Sequence, residues 1–247
     1  MHIHPPHKPA SDTKEHFIHF FMLFLAVVLG AFAENLREEH LDSTIANEYL
    51  GSLVVELSQD TLNLNKCISA RSEKNLQAEK LITLLSQKTI ENTKDVYYLS
   101  RLMTKVESFE GTNGTFNQLQ YAGGFRLIEN KHVVEKIHEY LFLRNAVYTL
   151  NNTEEEILVE LRKATSNVVN ASIFSKMLNV EKNKSYKYFI KPLEINEPLF
   201  SNDRSKINNL IYWISSENGN QSSNMNQMII LKIKGKQLIS LINSERD

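Results

Sequence analysis

One apolar segment near the start of the chain constrains its fold more than any other feature. Residues 17–33 read FIHFFMLFLAVVLGAFA, and His19 is the only ionisable side chain among them. Seventeen helical residues rise about 25 Å, close to the ~30 Å thickness of a bilayer's hydrocarbon core. Most of the side chains are Phe, Leu, Ile or Val, whose insertion into lipid outweighs the penalty for one His. The sequence therefore predicts a transmembrane helix, and a buried helix of a soluble protein is the weaker alternative.

Two interpretations of this segment are open, a retained anchor and a cleaved signal peptide. Lys8 and Lys14 make the preceding residues basic, and residues 31–33 form an Ala-x-Ala tripeptide that a signal peptidase recognises. However, the apolar run is long for a signal peptide, and a helix-like pattern continues over residues 34–57. We expect a retained anchor.

The distribution of basic residues predicts the orientation of the chain. Lys8 and Lys14 precede the segment, whereas Arg37 is the only Lys or Arg among the next twenty residues. Basic residues tend to stay on the cytoplasmic side of a membrane. We therefore expect a single-pass protein of the inner (cytoplasmic) membrane, with the tail inside and the bulk of the chain in the periplasm.

Composition narrows the class of protein further. The formal net charge is −1 and no block of basic residues is present, so nucleic acid is not a predicted partner. Cys67 is the only cysteine, which excludes an intrachain disulfide framework. Its two interpretations are a small apolar residue on a packed helix face and an intermolecular disulfide across a dimer.

The remainder of the chain has the pattern of long helices. Apolar residues recur at spacings of three and four, and glycine and proline are sparse. We expect an all-α protein, an N-terminal transmembrane helix followed by an antiparallel helical bundle. The predicted regions are a disordered His- and Pro-containing tail (1–16), the transmembrane helix (17–33), a long-helix bundle domain (34–171), and an irregular segment with C-terminal helices that complete the bundle (172–247).

The sequence also predicts local boundaries within these regions. Turn residues and capping patterns indicate where helices begin and end. An unbroken first helix would extend about 75 Å from the membrane, so a break in it is expected. The predictions are a break in the first helix near 70–75, a second helix marked by Leu99 to Phe109, a capping box at Thr115–Gln118 that opens a short helix ended by Gly123 and Gly124, a long helix over 131–171, two helices over 203–216 and 222–243, and a short strand at Tyr186–Ile190.

Two blocks of sequence resemble a known family. The first is EHFIHFFMLFLAVVLGAFAENLREEH, followed by Tyr49 and SLVVELSQDT; the second is FNQLQYAGGFRLIENKHVVEKIHEY, with the pattern F-x-x-L-x-x-x-G-x-x-x-L-I-x-N. Together they resemble uncharacterised single-pass membrane proteins of Bacteroidota. The resemblance implies an envelope location and a mostly helical domain, and it implies no activity, cofactor or catalytic residue.

Few residues suggest chemistry. His2, His4 and His7 have the spacing of a weak metal site, although a solvated tail is the plainer interpretation. His19 is either a proton-relay residue or one held at the headgroup level. The acidic residues at 38–39 and 154–156 are expected to lie on solvated faces of helices.

Aromatic residues and two short motifs complete the candidates. Tyr97, Tyr98, Tyr121 and Phe125 are interpreted as core residues or as the lining of a ligand groove. The triplets Asp42-Ser43-Thr44 and Asp60-Thr61-Leu62 resemble an O-glycosylation motif of exported Bacteroidota proteins. No nucleophile elbow, phosphate loop or zinc-protease motif is present. We predict no catalytic, cofactor-binding or metal-binding residues, no cofactor and no enzymatic activity.

Two hypotheses for function follow. The first is a membrane-anchored helical interaction or scaffold protein that docks another protein of the cell envelope. The alternative is an extracytoplasmic, sensor-type ligand-binding domain that signals through a partner membrane protein. An apolar pocket with a few convergent polar groups would favour the sensor, whereas a filled core with an exposed apolar strip would favour docking.

A homodimer is a further possibility. Ala26 and Gly30 are four residues apart, which lets two membrane helices approach closely. We expect the stripe of Ala46, Leu50, Leu53 and Leu57 to continue the same face, or else to face its own bundle. In such a dimer, Cys67 of the two copies would be close enough to crosslink.

Overall fold

The computed structural model describes residues 13–106, 108–180 and 188–246. Regular structure in these residues is helical apart from one two-stranded ribbon, so the prediction of a helical chain is confirmed. Most of the tail and residues 186–187 of the predicted strand lie outside the described residues. The elements are α1 (Thr13–Leu85), α2 (Thr93–Met103), α3 (Gly114–Tyr121), a 3-10 helix (Gly124–Leu127), α4 (Lys131–Ser166), α5 (Ala171–Lys176), β1 (Leu178–Val180), β2 (Tyr188–Ile190) and α6 (Arg204–Arg246).

Helix α1 is far longer than the sequence suggested. It spans 73 residues without interruption, roughly 110 Å at 1.5 Å per residue. The predicted break near 70–75 is wrong because Arg71 and Lys74, which interrupt the apolar stripe, are buried against polar partners of other helices. The helix already begins at Thr13, four residues before the apolar segment.

The first part of α1 is not covered by the rest of the protein. Its most apolar 18-residue window has a mean hydropathy of 2.2, and none of that window is buried. By length and composition, this is a helix that can cross a membrane. Residues 34–45 are exposed as well, and packing begins at Ala46.

Helix α6 packs against both α1 and α4. It runs antiparallel to α1, since Arg204 at its start donates to Leu85 O at 3.3 Å while Arg246 at its end lies against Gly51. The two C-terminal helices expected from the sequence are therefore one. Gly219 falls on the exposed side of α6 and causes no break.

Helix α4 runs parallel to α1, as two contacts at different heights demonstrate. Tyr140 donates to Asp60, and Arg71 donates to Glu154, so residue numbers rise together along both helices. α4 ends at Ser166, five residues before the expected end at 171. The chain turns there because Val168 and Val169 are buried, and Val168 O accepts from the backbone N–H of Phe200 at 2.9 Å.

Shorter elements return the chain from the end of α1 to the start of α4. α2 begins earlier than expected, because the Asn92 side chain caps it by accepting from Asp95 N–H.

The predicted capping box at Thr115 is wrong. The backbone N–H and hydroxyl of Thr115 both donate to the Glu56 carboxylate of α1, at 2.7 and 2.9 Å. α3 ends near Gly123, whose φ of 71° suits a residue without a side chain.

The buried apolar side chains form two clusters at different heights along α1. The proximal cluster lies on the side of the apolar segment, and the distal cluster lies around the end of α1. Proximal members include Leu50, Leu53, Leu57, Leu64, Phe116, Ile137, Val147, Met228, Leu231 and Ile242. Distal members include Leu81, Leu85, Val96, Tyr97, Leu158, Leu161, Val168, Ile207, Leu210 and Ile214.

The distal end is closed by α5, the ribbon and the segment before α6. Leu178 of β1 pairs antiparallel with Ile190 of β2, so the strand expected at 186–190 is present in its described part. Tyr97 of α2 connects two other segments of the distal end. Its hydroxyl donates to Pro198 O at 2.8 Å and accepts from Asn170 N–H at 3.0 Å.

Candidate functional site

Between the two apolar clusters lies a layer of polar side chains. Three helices supply it: α1, α4 and α6. All of its members are buried except Asn151, which is half-buried. We call this set the polar layer: Arg71, Lys74, Asn151, Glu154, Glu217, Gln221 and Asn224.

Two cations and two carboxylates form the centre of the polar layer. Arg71 Nη2 lies 2.6 Å from Glu154 Oε2, and both side chains are fully buried. Lys74 Nζ lies 2.8 Å from Glu217 Oε1 and 3.7 Å from Glu154 Oε1. The formal charges of the four groups cancel, which is the condition under which ionised groups are tolerated inside a protein.

Amide side chains bridge the charged groups. Gln221 Nε2 donates to Glu154 Oε1 at 2.7 Å and to Glu217 Oε1 at 2.8 Å, while its Oε1 accepts from Arg71 Nη1 at 2.7 Å. Asn224 Nδ2 donates to Asn151 Oδ1 at 2.7 Å, and that same oxygen accepts from Arg71 Nη2 at 3.3 Å. The network thereby fixes the heights of α1, α4 and α6 relative to one another.

The network leaves a few atoms without protein partners. Glu217 Oε2, Arg71 Nε and Asn224 Oδ1 are buried and make no hydrogen bond to the described residues. Burial raises the pKa of the Glu154 carboxyl, and the neighbouring Glu217 adds to this, whereas Arg71 opposes it. The polar layer is thus costly to bury, and this cost is offset only while its partners stay together.

A second polar cluster joins the returning chain to α1. Asp60 of α1 accepts from the backbone N–H and hydroxyl of Thr112, at 2.8 and 3.0 Å, and from the Tyr140 hydroxyl at 3.0 Å. The Arg144 guanidinium donates to Thr112 O at 3.1 Å and lies 4.6 Å from the centre of the Phe116 ring. Burial raises the pKa of the Tyr140 phenol, and the Asp60 carboxylate raises it further.

A surface groove lies between α4 and α6 near the proximal end. Lys136 and Lys234 both contact the Glu139 carboxylate, at 2.7 and 2.6 Å, and they lower the pKa of that carboxyl to about 2. His132 and Leu238 complete the walls. Glu139 balances only one of the two lysine charges, so the groove carries a net positive charge.

Several residues singled out in the sequence occupy unexpected positions. Glu154 is buried in the polar layer, so the prediction of a solvated 154–156 triplet is wrong for it, although Glu155 and Glu156 are exposed. Thr61 is buried and its hydroxyl donates to Leu57 O, which removes it as an accessible glycosylation site, whereas Ser43 and Thr44 are exposed.

The aromatic candidates do not share a groove. Tyr97 is buried in the distal cluster, Tyr121 is 80% exposed, and Phe125 packs on His138 in the proximal part. The tail histidines at 2, 4 and 7 lie outside the described residues. Within the described ranges, no group of three or more His, Cys, Asp or Glu side chains is placed to hold a metal ion.

No protein-family model, curated protein or solved structure matches the chain.

Proposed function

We propose that this protein is a single-pass protein of the cell envelope whose helical domain serves as an interaction scaffold. The domain is a bundle in which α6 runs antiparallel to α1 and α4, and not the fully antiparallel bundle expected from the sequence. The observation that carries the proposal is α1 itself. Its apolar segment is exposed along its whole length, and the same helix continues without a break into the packed domain. From Ala33 to Leu85 the helix rises about 78 Å. Such a helix would hold the distal end at a fixed height above a membrane.

The interior of the domain favours docking over ligand binding. Its centre is filled by the polar layer, in which both carboxylates face cations and Gln221 bridges them. A ligand between the helices would have to displace these contacts and leave buried charges unpaired. The sensor-type alternative and an enzymatic role therefore receive less support than a scaffold.

The surface of the distal end offers a place for a partner. Ile195 and Phe200 are 66% and 67% exposed, and Leu178 of the ribbon is partly exposed. These residues precede α6 or belong to the ribbon, at the end of the domain farthest from the apolar segment. We propose that a second envelope protein binds there, with the inner membrane holding the anchor and the periplasm holding the domain.

Membrane fractionation tests the anchor and the orientation. The full-length protein should resist carbonate extraction, and protease added to spheroplasts should degrade the helical domain. Recovery in the soluble fraction, or complete protection of the domain from protease, would contradict the proposal.

Site-specific crosslinking tests the docking surface. A photo-reactive residue at Phe200 should give a discrete adduct with one membrane or periplasmic protein in living cells. The matched control is the same residue at Glu156, which is exposed on α4. Equal adducts from both positions would indicate random collisions and count against a distal docking surface.

A further inference from the structure

Positive charge is concentrated on α4 and α6 in the proximal part of the domain. Residues 131–143 and 218–244 together contain five lysines and two glutamates, an excess of three positive charges in a chain whose formal net charge is −1. Glu129 and Glu245 do not offset this excess, since they line a separate depression beside Ala46 at the base of the domain. The charged residues concerned are Lys131, Lys136, Lys232, Lys234 and Lys236, with Glu135 and Glu139.

The groove between α4 and α6 lies within this basic region. It has a volume of about 170 Å³, several times the roughly 30 Å³ that one molecule of liquid water occupies. The groove therefore has room for the carboxylate end of an incoming side chain. We call it the basic groove, and its lining consists of His132, Lys136, Glu139, Lys234, Gln237, Leu238 and Leu241.

The two lysines of the basic groove already converge on one carboxylate. Lys136 Nζ lies 2.7 Å from Glu139 Oε2, and Lys234 Nζ lies 2.6 Å from Glu139 Oε1. A lysine ammonium has three N–H donors, and Glu139 takes one from each lysine. The geometry thus holds two ammonium groups at the separation that a carboxylate bridges, with one positive charge left to be balanced by a ligand.

Exposed apolar side chains border the groove on its distal side. Tyr140 lies against Gly235, and α4 and α6 run antiparallel, so Phe142 is level with Ile233. Ile230 lies about one turn further toward the distal end. Phe142, Ile233 and Ile230 are 74%, 48% and 41% exposed, so a cationic groove and an apolar rim form one continuous surface.

We propose that the basic groove and its apolar rim bind an acidic, amphipathic segment of another protein. A carboxylate of that segment would bind Lys136 and Lys234, and its apolar side chains would cover Phe142 and Ile233. The proposal goes beyond docking at the distal end. Lys136 is level with residue 56 of α1, because Tyr140 bonds to Asp60, and residue 56 is about 43 Å from Leu85.

A protein segment fits this surface better than a nucleic acid or a lipid. Phosphate groups would neutralise the lysines but would leave Phe142 and Ile233 in water. Lipid headgroups are too distant if α1 stands upright in a membrane, since residue 56 lies about 34 Å beyond Ala33. Complementary charge with adjoining apolar contact is the combination found in protein interfaces.

A second copy of the chain does not supply the acidic segment. Its acidic stretch at residues 34–42 would lie about 20 Å below Lys136 if both copies were inserted in the same direction. Cys67 is half-buried with its sulfur 3.5 Å from Ser108 O, on the side of α1 that faces the domain. The stripe expected either to continue the membrane face or to pack in its own bundle is buried within the domain: Ala46, Leu50, Leu53 and Leu57.

Peptide binding to the full-length protein tests the proposal. The protein is reconstituted in phosphatidylcholine nanodiscs, and the signal from empty nanodiscs is subtracted. The probes are three labelled peptides of equal length: one with glutamate and leucine at helical spacing, one with lysine in place of glutamate, and one with serine in place of leucine. Fluorescence anisotropy at low salt should show that the first binds at least about ten-fold more tightly than the others, because only it matches both the charge and the apolar rim.

Two double variants test whether the lysines of the groove are responsible. Lys136→Gln/Lys234→Gln should weaken binding of the acidic peptide by about ten-fold. The matched control, Lys80→Gln/Lys163→Gln, removes the same charge from two lysines that are 58% and 66% exposed elsewhere, and it should bind as wild type does. Equal affinities of the two double variants would mean that only the net charge of the protein matters, and would overturn the site.

The apolar rim has its own pair of variants. Phe142→Ser should weaken binding several-fold, because the leucines of the peptide lose their contact. Val159→Ser changes another exposed apolar residue of α4, 46% exposed and outside the groove, and should have no effect. Equal affinities of these two variants would remove the apolar rim from the proposal and contradict an amphipathic partner.

A gain in affinity separates the proposal from simple loss of folding. Glu139→Gln removes the carboxylate that shares the two lysines, so the acidic peptide should bind at least about two-fold more tightly. Weaker or unchanged binding by folded Glu139→Gln protein would overturn the proposal, as would equal binding of the acidic and basic peptides or no binding of either. An oligonucleotide or empty phosphatidylglycerol nanodiscs that bind more tightly than the acidic peptide would also overturn it, in favour of a phosphate ligand.

Discussion

The charge of Arg71 is balanced inside the protein by Glu154 and not by water. Removal of one member of a buried ion pair leaves the other uncompensated, which typically costs about 3–5 kcal/mol. We expect Arg71→Met to lower the free energy of unfolding by about this amount, measured by urea denaturation of the full-length protein in detergent micelles and followed by circular dichroism.

Two further variants make the Arg71 prediction specific. Lys80→Met breaks an ion pair with Asp95 whose lysine is 58% exposed, and it should cost at most about 1 kcal/mol. The double variant Arg71→Met/Glu154→Leu should lose less stability than the sum of its single variants, because no unpaired charge remains at that position. Additive losses would mean that Arg71 and Glu154 do not act as a pair.

The ion pairs of Glu139 are expected to make the stability of the protein depend on pH. Lys136 and Lys234 lower the pKa of the Glu139 carboxyl from 4.5 to about 2 in the folded protein. The pKa of the Glu139 carboxyl is lower in the folded protein than in the unfolded chain. Its ionised form therefore stabilises the folded protein above pH 4.5, and this stabilisation is lost as the pH falls toward about 2. The difference in melting temperature between wild type and Glu139→Gln should therefore shrink across this range. A difference that stays constant over this range would contradict the assigned pairing.

At the scale of single residues, the sequence located the apolar core better than the polar one. Leu50, Leu53 and Leu57 were recognisable from their spacing alone. Glu154 was not, because a run of three glutamates has the composition of a solvated face. The position of polar residues on α6 could have revealed the polar layer. Glu217 and Gln221 continue the apolar stripe of Leu210 and Ile214. A polar residue on such a stripe is buried and therefore requires a buried hydrogen-bond partner.

Among the helices, α6 contains two glycines that should respond in opposite ways to the same substitution. Gly219 is exposed with no atom near its missing Cβ, so Gly219→Ala should raise stability by about 0.5–1 kcal/mol. At Gly235, a Cβ would lie 3.2 Å from the ring of Tyr140. That ring is fixed by its hydrogen bond to Asp60 and by stacking on Phe116, so it yields little.

Gly235→Ala should consequently lower stability, since overpacking a filled site typically costs about 1–3 kcal/mol and exceeds the gain in helix propensity. Thermal unfolding of the two variants beside wild type provides the measurement. A stabilised Gly235→Ala protein would indicate that Tyr140 can move, and that the contact between α4 and α6 is looser than described.

The helical class was predictable from the sequence, but the continuity of the helices was not. The 3-4 spacing identified α1, α4 and α6. The break near 70–75 in α1 was expected because an unbroken helix would be very long, and the two C-terminal helices were separated over residues 217–221. Members of the polar layer lie in both stretches, and the contacts between Arg71, Glu154 and Gln221 explain why the helices continue through them.

For the whole molecule, the question is whether the polar layer divides the domain into two units. Leu57 lies in the proximal cluster and Leu81 in the distal cluster, and both are fully buried. They are 24 residues apart on one helix, or about 36 Å. Because α1, α4 and α6 pass through both clusters without interruption, we expect the domain to unfold in one cooperative transition.

Leucine truncations test this expectation. Leu57→Ala and Leu81→Ala should each cost about 2–5 kcal/mol, as cavities in a packed core do. Since the sites share no partner, their effects in the double variant should add within about 0.5 kcal/mol. Each single variant should shift one common unfolding transition, whether it is followed by circular dichroism or by the fluorescence of Trp213, which packs against the distal cluster. If Leu57→Ala instead produces a separate early transition that leaves the Trp213 signal unchanged, the polar layer is a boundary between two folding units, and the distal end is stable without the proximal one.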